Sequence, residues 1–132
     1  MLGIREKHLY GNQTYNDLLA FCKEIAKKHN IAIEQYQSNV EGFIVDKIQE
    51  AYGKFDGIII NLAAYTHTSV AILDALKAVS IPTIEVHLTN INEREEFRKI
   101  SFIRQICIAS FIGYGFDGYK MAIEKLIETQ KR

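Results

Sequence analysis

The sequence predicts one three-layer α/β domain, a parallel sheet covered by helices on both faces. Three observations predict it. Helix-patterned and strand-patterned segments alternate along 132 residues. The strand-patterned segments are short apolar runs, as expected of strands buried on both sides. No linker, internal repeat or low-complexity tract divides the chain, and its length suits a single domain spanning residues 1–132 with a core of its own.

Each element has a local reason. Residues 12–29 carry Leu18, Leu19, Phe21, Cys22, Ile25 and Ala26 at helical spacing, with Asn12 or Thr14 to cap the start and His29-Asn30 to end it. Residues 31–37 read as a short strand on Ile31, Ile33 and Tyr36. Residues 41–52 repeat Phe43, Ile44, Ile48 and Ala51 as a second helix, closed by Gly53. The run 57–60 follows a turn and suits a buried strand. A helix over 69–79, with Thr68 or Ser69 as its cap, leads to a β-branched strand at 83–87 just after Pro82, the sole proline. A short charged helix at 92–99, an apolar strand at 106–112 and a final helix at 119–130 complete the chain.

Composition excludes several function classes. Lysine plus arginine equals aspartate plus glutamate at 16 each, so no basic face is implied, and nucleic acid and anionic membrane are not expected partners. Cys22 and Cys107 lie far apart and read as free thiols of a reducing compartment. The apolar runs are too short to span a bilayer, and charge at Arg5, Glu6 and Lys7 disrupts any leader-like start. The expectation is a cytoplasmic domain.

In a doubly wound sheet, ligands bind beyond the carboxyl ends of the strands. Three such exits are polar here: Ser38-Asn39, residues 61–69, and residues 87–90. Glu85 and His87 stand two apart on one strand and share a face. A carboxylate beside an imidazole fixes its tautomer and favours its protonated form, which makes a usable acid near neutral pH. The same pair also suits a structural contact at a sheet end. His67, between Thr66 and Thr68 ahead of a helix, is either a loop histidine or part of the same site. With four histidines and no His-x3-His or Cys-x2-Cys spacing, no metal site is expected. The stretch Gly113-Tyr114-Gly115-Phe116-Asp117-Gly118 matches a dinucleotide fingerprint in letters only. No strand bearing an acidic residue about 20 positions later follows it, so a tight strand-to-helix turn is the better reading. The charged stretch from Glu93 to Arg98 reads as a solvated face, from which an arginine can also reach an anionic or polyhydroxylated ligand.

Taken together, these residues resemble one family closely, the type II 3-dehydroquinate dehydratases. The resemblance is carried by Ile59-Ile60-Asn61-Leu62-Ala63-Ala64-Tyr65-Thr66-His67-Thr68-Ser69-Val70-Ala71, by Ile84-Glu85-Val86-His87-Leu88-Thr89-Asn90-Ile91, and by Arg94-Glu95-Glu96-Phe97-Arg98. Leu2-Gly3-Ile4-Arg5-Glu6 with Tyr10-Gly11 resembles the family's mobile catalytic loop, Gln37 to Gly42 its second strand exit, and Gly113 to Tyr119 its last turn. The resemblance implies a flavodoxin-like fold and a cofactor-free lyase of the shikimate pathway. Such an enzyme converts 3-dehydroquinate to 3-dehydroshikimate by anti elimination through an enolate. It further implies Tyr10 as the base, Arg5 as the charge favouring its phenolate, and His87, oriented by Glu85, as the acid. Asn61 and the backbone amides of Leu88 and Thr89 are implied to hold the substrate carboxylate, and His67 and Arg98 the ring hydroxyls. Asp74 is implied to reach a neighbouring subunit's site within a dodecamer built of trimers.

The chain departs from the family pattern at two former prolines, now Lys7 and Leu62, and at its start. Met1 stands directly before Leu2-Gly3, without the family's first, central strand and its asparagine-bearing loop. The expectation drawn from this is a shortened version of a longer protein, with the longer form more stable and more active. The rival expectation from another class is a catalytically impaired family remnant that serves as a binding or assembly module.

Overall fold

The computed structural model describes residues 14–62, 69–89 and 100–130. Helix α1 (Tyr15–Lys28) starts at a capping box in which the Thr14 hydroxyl accepts from the Asp17 N–H and the Asp17 carboxylate accepts from the Thr14 N–H. Two donors that a helix start leaves unsatisfied are thereby paired. Helix α2 (Glu41–Glu50) follows, then strand β1 (Ile58–Ile60), helix α3 (Val70–Val79), strand β2 (Thr83–His87), a 3-10 turn (Arg104–Ile106), strand β3 (Ala109–Ile112) and helix α4 (Asp117–Gln130). The strands form a parallel sheet in the order β1-β2-β3.

Strand alternation sends side chains to two separate cores. Ile58 and Ile60 point to one face and join Ile48, Ile72, Leu76 and Ile103 beneath α2 and α3. Ile59 points to the other, with Ile84, Val86 and Ala122 beneath α4. Helix α1 packs on α4 through Leu18, Cys22 and Ile25 against Phe116 and Ile123. Helix α4 lies close on the sheet because Gly118 has no side chain; a Cβ there would stand 3.2 Å from Val86 Cγ1. At the far end of α4, the Gln130 amide donates to the Asp56 carbonyl just ahead of β1.

The structure differs from expectation in two places. Residues 31–38 are not a strand, because they pair with no neighbour among the described residues, and a strand is defined by its ladder. The last strand begins at Ala109 rather than at 106, because residues 104–106 wind into a 3-10 turn. The short helix expected over 92–99 lies outside the described residues.

Helix α3 depends on Ser69, whose buried hydroxyl accepts from the Ile72 N–H at 3.1 Å. Ser69→Ala leaves that donor without its partner, and urea denaturation should show a loss of about 1–2 kcal/mol.

Candidate active site

Glu85 sits in the middle of the sheet at 1% exposure, on the same face as its register partners Ile60 and Ser110. A charge so deeply placed is costly unless it is fully paired. Here it is. Oε1 accepts from Arg104 Nε at 3.0 Å and from the Ser110 hydroxyl at 3.0 Å. Oε2 pairs with His87 Nε2 at 2.8 Å and accepts from the Ser101 hydroxyl. A carboxylate has about four lone-pair sites, and four partners occupy them. Burial pushes the Glu85 carboxyl up, but hydrogen bonds from His87, Ser101 and Arg104, with the charge of His87, pull it down to about 2.

Two chemical consequences follow. Glu85 has no free lone pair with which to take a proton from a substrate, so it is not a general base. His87 has its Nε2 committed to Glu85, so a proton exchanged with a ligand would have to pass through Nδ1. His87 lies at the last residue of β2, where a doubly wound sheet exposes its ligand site.

The backbone just past His87 is held from the next strand exit. The Gly113 N–H donates to the His87 carbonyl and the Gly115 N–H to the Leu88 carbonyl, both at 3.0 Å. Both glycines have positive φ, +85° and +58°, which an L side chain adopts only with strain. The turn read from the glycine-rich stretch is therefore confirmed, and it also fixes the backbone of β2's exit.

A groove of about 1030 Å³ opens beside this point, between β1 and the 31–38 segment. His87, Leu88, Thr89, Asn61 and Ser38 all line it. The exits of β1 and β2 thus converge with the end of the 31–38 segment, the three polar stretches that the sequence pattern placed together, although the last of them leaves no strand. The Asn61 side chain hydrogen-bonds the hydroxyl of Tyr119, whose pKa burial pushes up to about 12, so the phenol remains neutral. Asp74 does not line this groove; it is exposed on the face of α3 opposite Leu73, Leu76 and the rest of that helix's core side. Arg5, Tyr10, His67 and Arg98 lie outside the described residues.

Sequence reasoning missed Ser101, Arg104, Ser110 and Tyr119. Ser110 was accessible in principle, since pairing the two predicted strands places it beside Glu85. Arg104 was not: it is 19 residues from Glu85, on a turn with no local signature. The two cysteines are free, as expected. Burial pushes the Cys22 thiol up to about 11 and the Cys107 thiol up to about 12, with the Glu85 charge adding to the latter, so neither is an activated nucleophile. Among the described residues no group of three or more His, Cys, Asp or Glu side chains is arranged to hold a metal ion.

A parallel α/β sheet that presents a carboxylate-anchored imidazole at a strand exit, over a polar-mouthed groove, is the arrangement of a candidate acid–base site. The comparisons with known proteins narrow it. The family described as dehydroquinase class II matches residues 1–127, and the chain belongs to that family. It is 56% identical over 131 residues to a 3-dehydroquinate dehydratase of Fusobacterium nucleatum, covering 97% of this chain and 89% of that one. It is 52% identical over 128 residues to a 3-dehydroquinate dehydratase of Sulfurimonas denitrificans, covering 97% of this chain and 80% of the relative. The crystal structure of a type II dehydroquinase from Butyrivibrio crossotus superposes with a TM-score of 0.93 at 55% identity, covering 96% of this chain and 88% of that one.

The Glu85 arrangement predicts a pH dependence of stability. Its carboxyl titrates at about 2 when folded, below its ordinary value of 4.5. A depressed value contributes stability that is present above the ordinary value and lost as pH falls through the folded one. Urea unfolding should therefore show stability falling between about pH 5 and pH 2. In Glu85→Gln that part of the curve should flatten, and stability at pH 7 should be lower by about 3 kcal/mol because the groups facing the carboxylate lose their charged partner.

Proposed function

We propose that this protein dehydrates 3-dehydroquinate to 3-dehydroshikimate, the reaction named for its relatives. The observation that carries the reading is the fixed His87, with Nε2 held by a saturated carboxylate and the residue itself lining the groove at the end of β2. Loss of water from a β-hydroxy ketone needs a proton removed next to the carbonyl, an enolate, and a proton delivered to the departing hydroxyl. His87 supplies the last of these, with Glu85 stabilising the imidazolium before transfer.

Tyr10 is the base in this scheme. A free tyrosine with a pKa of about 10 is ionised to only about one part in a thousand at pH 7, so a neighbouring cation, Arg5, is assigned to favour the phenolate. Asn61 and the amides of Leu88 and Thr89 bind the substrate carboxylate; the Tyr119 contact sets the Asn61 side chain and the glycine turn sets the backbone beside it. His67 and Arg98 take the ring hydroxyls. The scheme uses no cofactor. Asp74, exposed on α3, serves the site of a neighbouring subunit, in an assembly of trimers that build a dodecamer. The cytoplasm is the proposed compartment. Among the described residues, no helix is long and apolar enough to cross a membrane.

The direct test is an ultraviolet assay for the conjugated enone of the product. His87→Ala should lose roughly 10²–10⁴-fold in kcat, the usual worth of a positioned proton donor. Tyr10→Phe should lower kcat far more than it weakens substrate binding, since it removes a role played only in the transition state. Near-normal turnover in either variant contradicts its assigned role. Light scattering should find a species many times the 15.1 kDa monomer, and a fully active monomer would overturn the role of Asp74.

A further inference from the structure

The proton donor is backed by a carboxylate that is itself shared with a cation. His87 Nε2 and Arg104 Nε bind the two different oxygens of Glu85, at 2.8 and 3.0 Å. A carboxylate alone behind an imidazole stabilises the imidazolium strongly, which makes it a reluctant acid. A guanidinium on the opposite oxygen offsets part of that negative charge. Arginine is suited to the task because it stays charged throughout the working pH range.

Resting on the dehydratase reading above, we propose that Arg104 is a positioning residue for the proton donor. By neutralising part of the Glu85 charge, it weakens the hold of Glu85 on the His87 proton, so that the imidazolium gives it up more readily to the leaving hydroxyl. Arg104 also anchors the 3-10 turn over the buried carboxylate, so the carboxylate oxygen that faces His87 is held in one orientation.

The surroundings of Glu85 leave Arg104 as the group able to act in this way among the described residues. From its own strand, β2, comes His87; from β3, the neutral hydroxyl of Ser110; from the segment before β3, Ser101, Arg104 and Cys107. Burial keeps the Cys107 thiol protonated, so it adds no charge. On the groove side of His87, Asn61 and the neutral Tyr119 add none either. Arg104 is the one permanent cation bound to the carboxylate within this described set.

The test compares the native protein with Arg104→Met, Arg104→Gln and Arg104→Lys. The imidazole of His87 is titrated by NMR and assigned by its loss in His87→Gln, and kcat and KM are followed across pH. Removing the cation should raise the His87 titration midpoint by about one pH unit relative to the native protein. The alkaline limb of kcat should move up by a similar interval. On the pH plateau kcat should fall roughly threefold, because a weaker acid donates more slowly, while KM stays unchanged. Arg104→Lys should restore the native midpoint. Arg104→Gln keeps a hydrogen-bond donor without charge and carries the test if the methionine variant does not fold. A midpoint that stays put or falls on removal of the cation overturns the proposal, as does a fall in kcat with no movement of the limb. The NMR midpoint needs no turnover, so a native protein without dehydratase activity defeats the reading of the function and leaves the coupling to be judged by the titration.

Discussion

One carboxylate organises the site. Glu85 is charged and has almost no contact with water, and its four partners come from three separate pieces of chain. Such a charge contributes little net stability by comparison with a well-packed apolar residue, yet removing any one partner is costly. Its presence is therefore best understood through what it fixes. It locks β2 to β3 through Ser110, draws the 3-10 turn onto the sheet through Arg104, and holds an imidazole at the strand's end. The position of the His87 imidazole is decided in the middle of the fold.

The remainder of the molecule serves that arrangement. Alternation on β1 and β2 divides the apolar residues between two helical layers, and this division leaves Glu85 on the face of Ile60 while Ile84 and Val86 seal the opposite one. The two layers are independent enough for α4 to approach closely at Gly118 while the other face accommodates a polar cluster. The glycine turn after β3 then ties down the carbonyls that follow His87, so that side chain and backbone of the site are each held from a different direction.

Much of this was legible in the sequence, for identifiable reasons. The helices announced themselves through periodicity and caps, and Thr14 and Ser69 act as the caps that spacing suggested. The pair Glu85 and His87 was legible because strand alternation is a local rule. The convergence of Asn61, His87 and Thr89 followed from the topology of parallel sheets. Arg104 and Ser101 were not legible, because their meaning lies in a contact across 16 to 19 residues through an irregular segment. Residues 31–37 join no ladder among the described residues, because apolar alternation records a preference for extension but does not supply a partner strand.

Helix α4 connects two places that matter. Its first turn follows the glycines that hold β2's exit, and its last residue holds the Asp56 carbonyl ahead of β1. It therefore works as a strut of set length, and its length cannot drift. One added residue would rotate everything beyond it by about 100° and advance it by about 1.5 Å. An insertion ahead of Ala122 would turn that residue and Ile123 out of the core and carry Gln130 away from Asp56. A change in chain length is therefore far better accommodated in the connections between elements than within this helix, whose two ends must reach both anchors at once.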